Sequence, residues 1–150
     1  MRLAVEKQSS TMLIWGTANP TGECNSTYHG VYLQDRDIDS FVTDICNKPV
    51  KVEHVGQPVG KVLHAWKNAQ MGLDCIMDID EANLNGAIIS SLVHDRCAKE
   101  LSLGYRVRLN MSNKPPGNIG TVCLEKEVIE VSIVKRGMRP NCIIHGFCKN

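Results

Sequence analysis

Residues 101–109 read LSLGYRVRL, and this stretch decides the predicted fold of the 150-residue chain. Every odd-numbered position is apolar, and every even-numbered position is polar or glycine. Such alternation is typical of a half-buried β-strand, because successive side chains of a strand point to opposite faces of the sheet. The pattern predicts that the odd positions face a core, whereas Ser102, Gly104 and Arg106 face away from it.

A second stretch, residues 128–134, reads VIEVSIV and predicts a similar strand. Its polar side chains, Glu130 and Ser132, are expected to point outward. The side chains expected to point inward are Ile129, Val131 and Ile133. Shorter apolar stretches predict further strands over residues 13–18, 50–54, 59–66 and 72–77. Many short strands with few helices are typical of a small barrel or sandwich, so the predicted class is mainly β with helices, α+β.

Two stretches have the apolar period of about 3.6 residues that is typical of amphipathic helices. The first covers residues 37–46, and its apolar face consists of Ile38, Phe41, Val42 and Ile45. The second, residues 81–99, is the longest predicted helix, and one of its faces consists of Leu84, Ala87, Ile88, Ser91 and Leu92. Both helices are expected to lie around the predicted barrel or sandwich.

Length and composition limit the class of protein. A chain of 150 residues is long enough to bury the core of one domain, which predicts a single domain over residues 1–150. The hydrophobic fraction of 43% and the charged fraction of 22% are ordinary for a soluble globular protein. The net charge of +1 gives no strong field toward nucleic acid or an anionic membrane, and no apolar run is long enough to span a bilayer. Neither nucleic acid nor a membrane is therefore an expected partner.

The seven cysteines raise the question of a disulfide framework or a zinc site. No pair has the Cys-x-x-Cys spacing that zinc ribbons and fingers use. The number is odd, and the first residues lack the pattern of a secretory signal, so the cysteines are expected to be reduced and structural. No metal and no cofactor is expected, although a zinc-binding module built on His and Cys residues remains an alternative.

Ser102, His54 and Glu130 are the candidates for chemistry. A serine becomes a nucleophile when a base takes its proton, and the base needs a third group to fix its tautomer. The residue pattern alone leaves a plainer interpretation open, since serines and glutamates are common on exposed strand faces. His54 lies in a predicted strand with the parity of apolar neighbours. This parity predicts that His54 is a core histidine. The alternatives are that a bulge near Glu53 turns the side chain outward, or that this face of the strand is only partly buried.

Three short blocks resemble the viral capsid-maturation serine proteases, the superfamily of herpesvirus assemblins and tailed-phage prohead proteases. The histidine block is similar to VKVEH at residues 50–54 followed by PVGKV at residues 58–62. LSLGY at residues 101–105 resembles the nucleophile block Leu-Ser-Ile-Gly-Tyr of prohead proteases, and IEVSIV at residues 129–134 resembles their Glu-Val-Ser-Leu-Val block. The order histidine, serine, third member is that of the superfamily, and the resemblance extends over nearly the whole chain.

A fourth block, EVSIVKRGMR at residues 130–139, is in register with the assemblin pattern His-Val-x-Leu-Cys-x-x-Gly-Arg-Arg. Glu130 stands in place of the second catalytic histidine and Met138 in place of the first arginine, whereas Gly137 and Arg139 match. The resemblance implies an oxyanion hole formed by the backbone N–H of Met138 and the side chain of Arg139. Arg136 is near enough in sequence to compete for the second role.

The resemblance implies a serine endopeptidase with a triad of Ser102, His54 and Glu130. It also implies a small antiparallel β-barrel wrapped by helices and active as a homodimer, with the helix over residues 81–99 as the candidate interface. The implied substrate is the scaffold or assembly protein inside the viral procapsid, in contact with the capsid shell, and the chain is cut from its own precursor. The procapsid lies in the host nucleus for a herpesvirus-like source and in the host cytoplasm for a phage-like one. A non-catalytic viral scaffold or structural barrel of the same fold is the alternative.

Overall fold

The computed structural model describes residues 11–20, 35–109, 124–137, 139 and 141–149. These residues form seven strands and two helices, so the predicted α+β class is confirmed. In chain order the elements are β1 (Thr11–Asn19), α1 (Asp35–Asp44), β2 (Pro49–Val52), β3 (Val55–Lys67), β4 (Leu73–Asp80), α2 (Leu84–His94), β5 (Glu100–Leu109), β6 (Leu124–Val134) and β7 (Ile144–Lys149).

The strands form one mixed sheet in the order β5-β6-β2-β3-β4-β1-β7. The pairing of β2 with β6 is parallel, and the other pairings are antiparallel. The two end strands approach each other at an isolated bridge between Glu100 and Ile143. There the Leu101 N–H donates to the Cys142 carbonyl at 2.8 Å, and the Ile144 N–H donates to the Lys99 carbonyl at 2.8 Å. The predicted barrel is therefore a curved sheet that is not closed by a ladder among the described residues.

One face of this sheet carries the core, and α1 packs against it. Ile38, Phe41 and Ile45 of the α1 region are fully buried, as the helical period predicts. Sheet residues that share this core include Met12, Ile14, Val50, Val62, Met77, Ile79, Leu101 and Val131. Full burial of one such side chain contributes about 1.5–3 kcal/mol relative to exposure. In the described part of the chain, neither helix has the length and apolar character that crossing a membrane requires.

A β-bulge interrupts the ladder between β5 and β6 and determines which side chains of β6 are buried. Gly104 pairs with Glu130 and Tyr105 pairs with Val128, which leaves Ile129 as the extra residue. The Val128 N–H, displaced from the ladder, donates to a carboxylate oxygen of Asp44 at 2.7 Å. The bulge turns Ile129 to solvent with 41% exposure, so the prediction that this side chain points inward is wrong.

The second helix, α2, is shorter than the predicted 81–99 because polar groups cap both of its ends. The Asn83 side chain accepts hydrogen bonds from the N–H groups of the first turn, as an N-cap does. At the other end Arg96 has a φ of +61°, and its N–H donates to the Val93 carbonyl at 3.0 Å. The Cys97 N–H donates to the Leu92 carbonyl at 2.8 Å, which completes a Schellman motif and ends the helix.

The side of α2 that faces the sheet is not the predicted apolar face. The buried residues of α2 are Gly86, Ile89, Ser90 and Val93. Leu84, Ile88 and Leu92 are 75%, 51% and 40% exposed. They recur every four residues and so lie along one side of the helix. The described chain therefore presents an apolar stripe to solvent, which is defined here as the α2 stripe.

Candidate active site

His54 lies in a two-residue turn between β2 and β3, where Val52 pairs with Val55. Glu53 and His54 have φ values of +51° and +63°, as both central residues of a type I′ turn require. The prediction of a strand through His54 is therefore wrong, and neither a bulge nor partial burial of a strand face explains its orientation. Residues 56–58, which lie between the predicted strands 50–54 and 59–66, belong to β3.

The turn brings the imidazole of His54 between Ser102 on β5 and Glu130 on β6. His54 Nε2 lies 2.9 Å from Ser102 Oγ. On the other side of the ring, His54 Nδ1 contacts Oε1 of Glu130. An ionised carboxylate only accepts hydrogen bonds, so Nδ1 carries the ring hydrogen and Nε2 is free to accept the hydroxyl hydrogen of Ser102. The structure thus brings together the three residues that the sequence nominated.

The register between β5 and β6 determines how Glu130 fits beside the nucleophile strand. Gly104 lies opposite Glu130, and a Cβ atom at Gly104 would lie 2.8–3.0 Å from the carboxylate atoms. The glycine therefore provides the space that the carboxylate occupies. Glu130 is 4% exposed, so it is buried although it points away from the apolar core as predicted. Ser102 is buried as well, whereas the His54 side chain is 42% exposed and accessible from outside.

Ser102 and His54 open into a cavity of about 560 Å³. Its other lining residues include Asn19, Glu53, Tyr105, Val107, Arg136, Arg139 and Cys142. Arg139 is buried, and its Nη2 donates to the Tyr105 hydroxyl at 3.2 Å. The guanidinium carbon lies 5.8 Å from the centre of the Tyr105 ring. Arg136 is exposed, and Met138, the other predicted oxyanion-hole residue, lies outside the described residues.

Tyr105 and Glu53 are two cavity residues that the sequence analysis did not assign to the site. Tyr105 has the strand parity of the core residues, and it packs partly against the core beside Phe41 while it also lines the cavity. Nothing in the sequence marks Glu53, whose carboxylate accepts the Lys135 N–H at 3.1 Å and so joins the turn to the end of β6. Tyr105 lies three residues after Ser102 and Glu53 directly precedes His54, but their contacts with Arg139 and with the Lys135 N–H join segments that are distant in the sequence.

The described cysteines are free thiols, at positions 46, 75, 97, 142 and 148. Burial, together with the charges of Asp74 and Cys46, raises the pKa of the Cys75 thiol to about 12. A thiol with such a pKa is inert as a nucleophile at neutral pH. Within the described ranges, no group of three or more His, Cys, Asp or Glu residues has the arrangement of a metal site.

The arrangement supports proton transfer from a serine hydroxyl to an imidazole whose far side is fixed by a buried carboxylate. That is the constellation of nucleophilic acyl transfer, which is identified by geometry rather than by sequence order. It occupies the wall of a cavity large enough for several atoms of a substrate chain.

Comparison with solved structures finds this fold in proteases of Kaposi's sarcoma-associated herpesvirus. The protease in complex with a hexapeptide phosphonate inhibitor matches with a TM-score of 0.61 and 17% identity, over 93% of this chain and 65% of that chain. The herpesvirus protease with an allosteric inhibitor matches with a TM-score of 0.51 and 17% identity, over 93% of this chain and 77% of that chain. The herpesvirus protease in complex with a dimer disruptor matches with a TM-score of 0.50 and 17% identity, over 93% of this chain and 76% of that chain. No family model and no curated protein matches the sequence.

The chain therefore has a herpesvirus-protease-like fold, as the sequence blocks predicted. It spans 65% of the length of the first of these proteases. The resemblance to phage prohead proteases rests on the sequence blocks alone.

Proposed function

We propose that this protein is a serine endopeptidase of viral capsid maturation. The observation that carries the proposal is the continuous chain of contacts from Ser102 through His54 to Glu130 on the wall of an open cavity. The herpesvirus-protease-like fold and the four sequence blocks support the same conclusion.

In the proposed mechanism Ser102 Oγ attacks the scissile carbonyl carbon while its proton passes to His54 Nε2. The imidazolium is stabilised by the Glu130 carboxylate at Nδ1, and it then gives the proton to the leaving amine. An acyl-enzyme ester on Ser102 results, and water hydrolyses it by the same steps in reverse order. His54 suits this double role because its ring is held on one side and accessible on the other.

Negative charge develops on the substrate carbonyl oxygen during the attack and needs hydrogen-bond donors. The assignment of this role to the Met138 N–H and the Arg139 side chain remains a proposal. The contacts of Arg139 with Tyr105 support it, because Tyr105 follows Ser102 on the same strand and holds the guanidinium at the cavity. Arg136 is exposed whereas Arg139 is buried, which favours Arg139 over Arg136 as a preorganised donor.

The proposed substrate is the scaffold or assembly protein within the procapsid, together with the chain's own precursor. The proposed active form is a homodimer. A dimer disruptor is bound in one of the matching herpesvirus protease structures, and the α2 stripe of this chain offers an exposed apolar surface.

A fluorophosphonate probe tests the proposed chemistry directly, because it phosphonylates only an activated serine. We expect one adduct per chain, which mass spectrometry of the digested protein locates on Ser102. The matched control is His54→Ala, which keeps the serine but removes its base and should lose the labelling. Labelling that is absent from the wild type, or that is spread over other serines, would favour the non-catalytic barrel.

The proposed dimer predicts that specific activity rises with enzyme concentration across the dissociation constant. Ile88→Glu places a charge at the centre of the α2 stripe. In a twofold interface each substitution occurs twice, so we expect dimer dissociation to rise by roughly 100-fold, or about 1.4 kcal/mol per copy. Sedimentation velocity and activity at a series of concentrations measure both effects.

Leu63→Glu is the matched control for this experiment. Leu63 is an exposed apolar residue on β3, 41% exposed, and does not belong to the α2 stripe. The variant should dimerise like the wild type. Equal dissociation of the Ile88→Glu and wild-type proteins would place the interface elsewhere, and a monomer with constant specific activity would rule out the dimer.

A further inference from the structure

Ser132 of β6 has a hydroxyl group that contacts two members of the triad at once. The residue is 0% exposed. Its hydroxyl donates to Glu130 Oε1 at 2.9 Å and lies 3.2 Å from Oε2. The same oxygen accepts the backbone N–H of His54 at 3.0 Å. Ser132 therefore joins the carboxylate and the backbone of the base without touching the cavity or the reacting atoms.

The backbone contact matters because the turn that carries His54 is conformationally unfavourable. A left-handed backbone costs roughly 1–2 kcal/mol for a residue other than glycine, and both Glu53 and His54 adopt it. The ladder between β2 and β6 ends where the Glu53 N–H donates to the Ile133 carbonyl at 3.1 Å. The next N–H along the chain, that of His54, points into the protein and is accepted by Ser132. The hydroxyl thus holds the turn where the ladder can no longer do so.

The contact with Glu130 fixes the other end of the imidazole. A buried carboxylate with one hydrogen-bond donor can rotate about its last torsion, whereas two donors at different angles fix its plane. His54 Nδ1 and the Ser132 hydroxyl are those two donors. We propose that Ser132 is a positioning residue that aligns His54 with Ser102 by holding both its backbone and its carboxylate partner. The catalytic consequence rests on the proposed function, but the alignment itself does not.

Ser132→Ala tests this inference through one readout that needs activity and one that does not. In the first, we expect kcat for peptide cleavage to fall by about 10–100-fold with KM within twofold, because a misaligned base slows the chemical step and leaves substrate contacts intact. In the second, the ¹H NMR resonance of His54 Nδ1–H, assigned by its loss in His54→Ala, should shift or broaden. Ser132→Cys, of similar size but with a weaker donor and acceptor, should give intermediate values.

Ser90→Ala is the matched control, because Ser90 is also a buried serine and lies on α2 away from the triad. It should alter neither the resonance nor kcat. An unchanged resonance and rate in folded Ser132→Ala would overturn the inference, as would a wild type without the resonance. If Ser132→Ala does not fold, the Cys variant decides by the same criteria. The wild type could show the resonance but no activity. If Ser132→Ala then lacks the resonance, the positioning role is supported and the proposed protease activity is refuted.

Discussion

Ser102→Ala is expected to lower kcat for peptide cleavage by about 10⁵–10⁶-fold without unfolding the protein. Removal of the nucleophile of a serine-protease triad costs about that much and leaves only the rate from the oxyanion hole and substrate binding. The folded state should survive, because Ser102 lies on the face of β5 away from the apolar core. The Ser102 hydroxyl group forms a hydrogen bond with His54, and one such bond contributes about 0.5–1.5 kcal/mol to stability.

Cleavage of a peptide library followed by mass spectrometry measures the rate, and thermal unfolding measures the stability. A loss of 1 kcal/mol in a domain of this size lowers Tm by roughly 2–4 °C. Ser90→Ala controls for the removal of a buried hydroxyl as such, and it should cleave at the wild-type rate. Turnover of Ser102→Ala near that of the wild type would show that another group is the nucleophile.

The sequence predicted six of the seven strands of the described residues because their apolar period is local, but it predicted no strand at β7. Ser102 and Glu130 each alternate with core residues, and this places both on the face away from the core whatever the strand order is. Their proximity is a different matter, since it depends on the pairing of Gly104 with Glu130 across two strands. The sequence blocks indicated that proximity only through the resemblance.

Two features of the site could not be read from local patterns. The turn at residues 53–54 contains Glu-His rather than the Asn-Gly or Asp-Gly pair that marks a type I′ turn, so the alternation of residues 50–54 predicted a longer strand. Contacts with Ser132 of β6 and with the Lys135 N–H just after that strand hold the turn instead. The bulge at Ile129 likewise depends on Asp44, a partner on α1.

The apolar stripe of α2 shows another limit of periodicity. The period predicts a helix with an apolar side, but it cannot say which side meets the sheet. Gly86 decides this, because its missing side chain lets the helix approach β4. A Cβ atom there would lie 2.0 Å from the Asp80 carbonyl oxygen. The face with Gly86, Ile89, Ser90 and Val93 is therefore buried, and Leu84, Ile88 and Leu92 remain outside.

Glu130→Gln is expected to lower kcat by about 10²–10⁴-fold. The analogous Asp→Asn change in a serine-protease triad costs about 10⁴. Burial of Glu130 places the expected loss toward that limit, since little water reaches the position of the carboxylate to replace the lost charge. The Ser132 hydroxyl oxygen can accept a hydrogen bond from the amide N–H of the new Gln side chain, which keeps the amide oxygen toward His54. The tautomer of His54 is then preserved, which accounts for the lower limit of the expected loss in kcat.

Two further variants separate the charge of Glu130 from its position. Glu130→His recreates the arrangement that the assemblin resemblance implies and should recover part of the loss, because a second imidazole can accept the Nδ1 hydrogen of His54 and stabilise its charge.

Glu127→Gln is the matched control. Glu127 lies on the same strand, 45% exposed, with its Oε1 3.7 Å from Arg106 Nε. Such a surface pair contributes only about 0–1 kcal/mol to stability, and the residue is away from the ring, so kcat should stay within twofold of the wild type. Cleavage rates of the three variants on one peptide decide the matter. Equal rates for Glu130→Gln and the wild type would mean that the carboxylate does not hold the base, in spite of its contact with Nδ1.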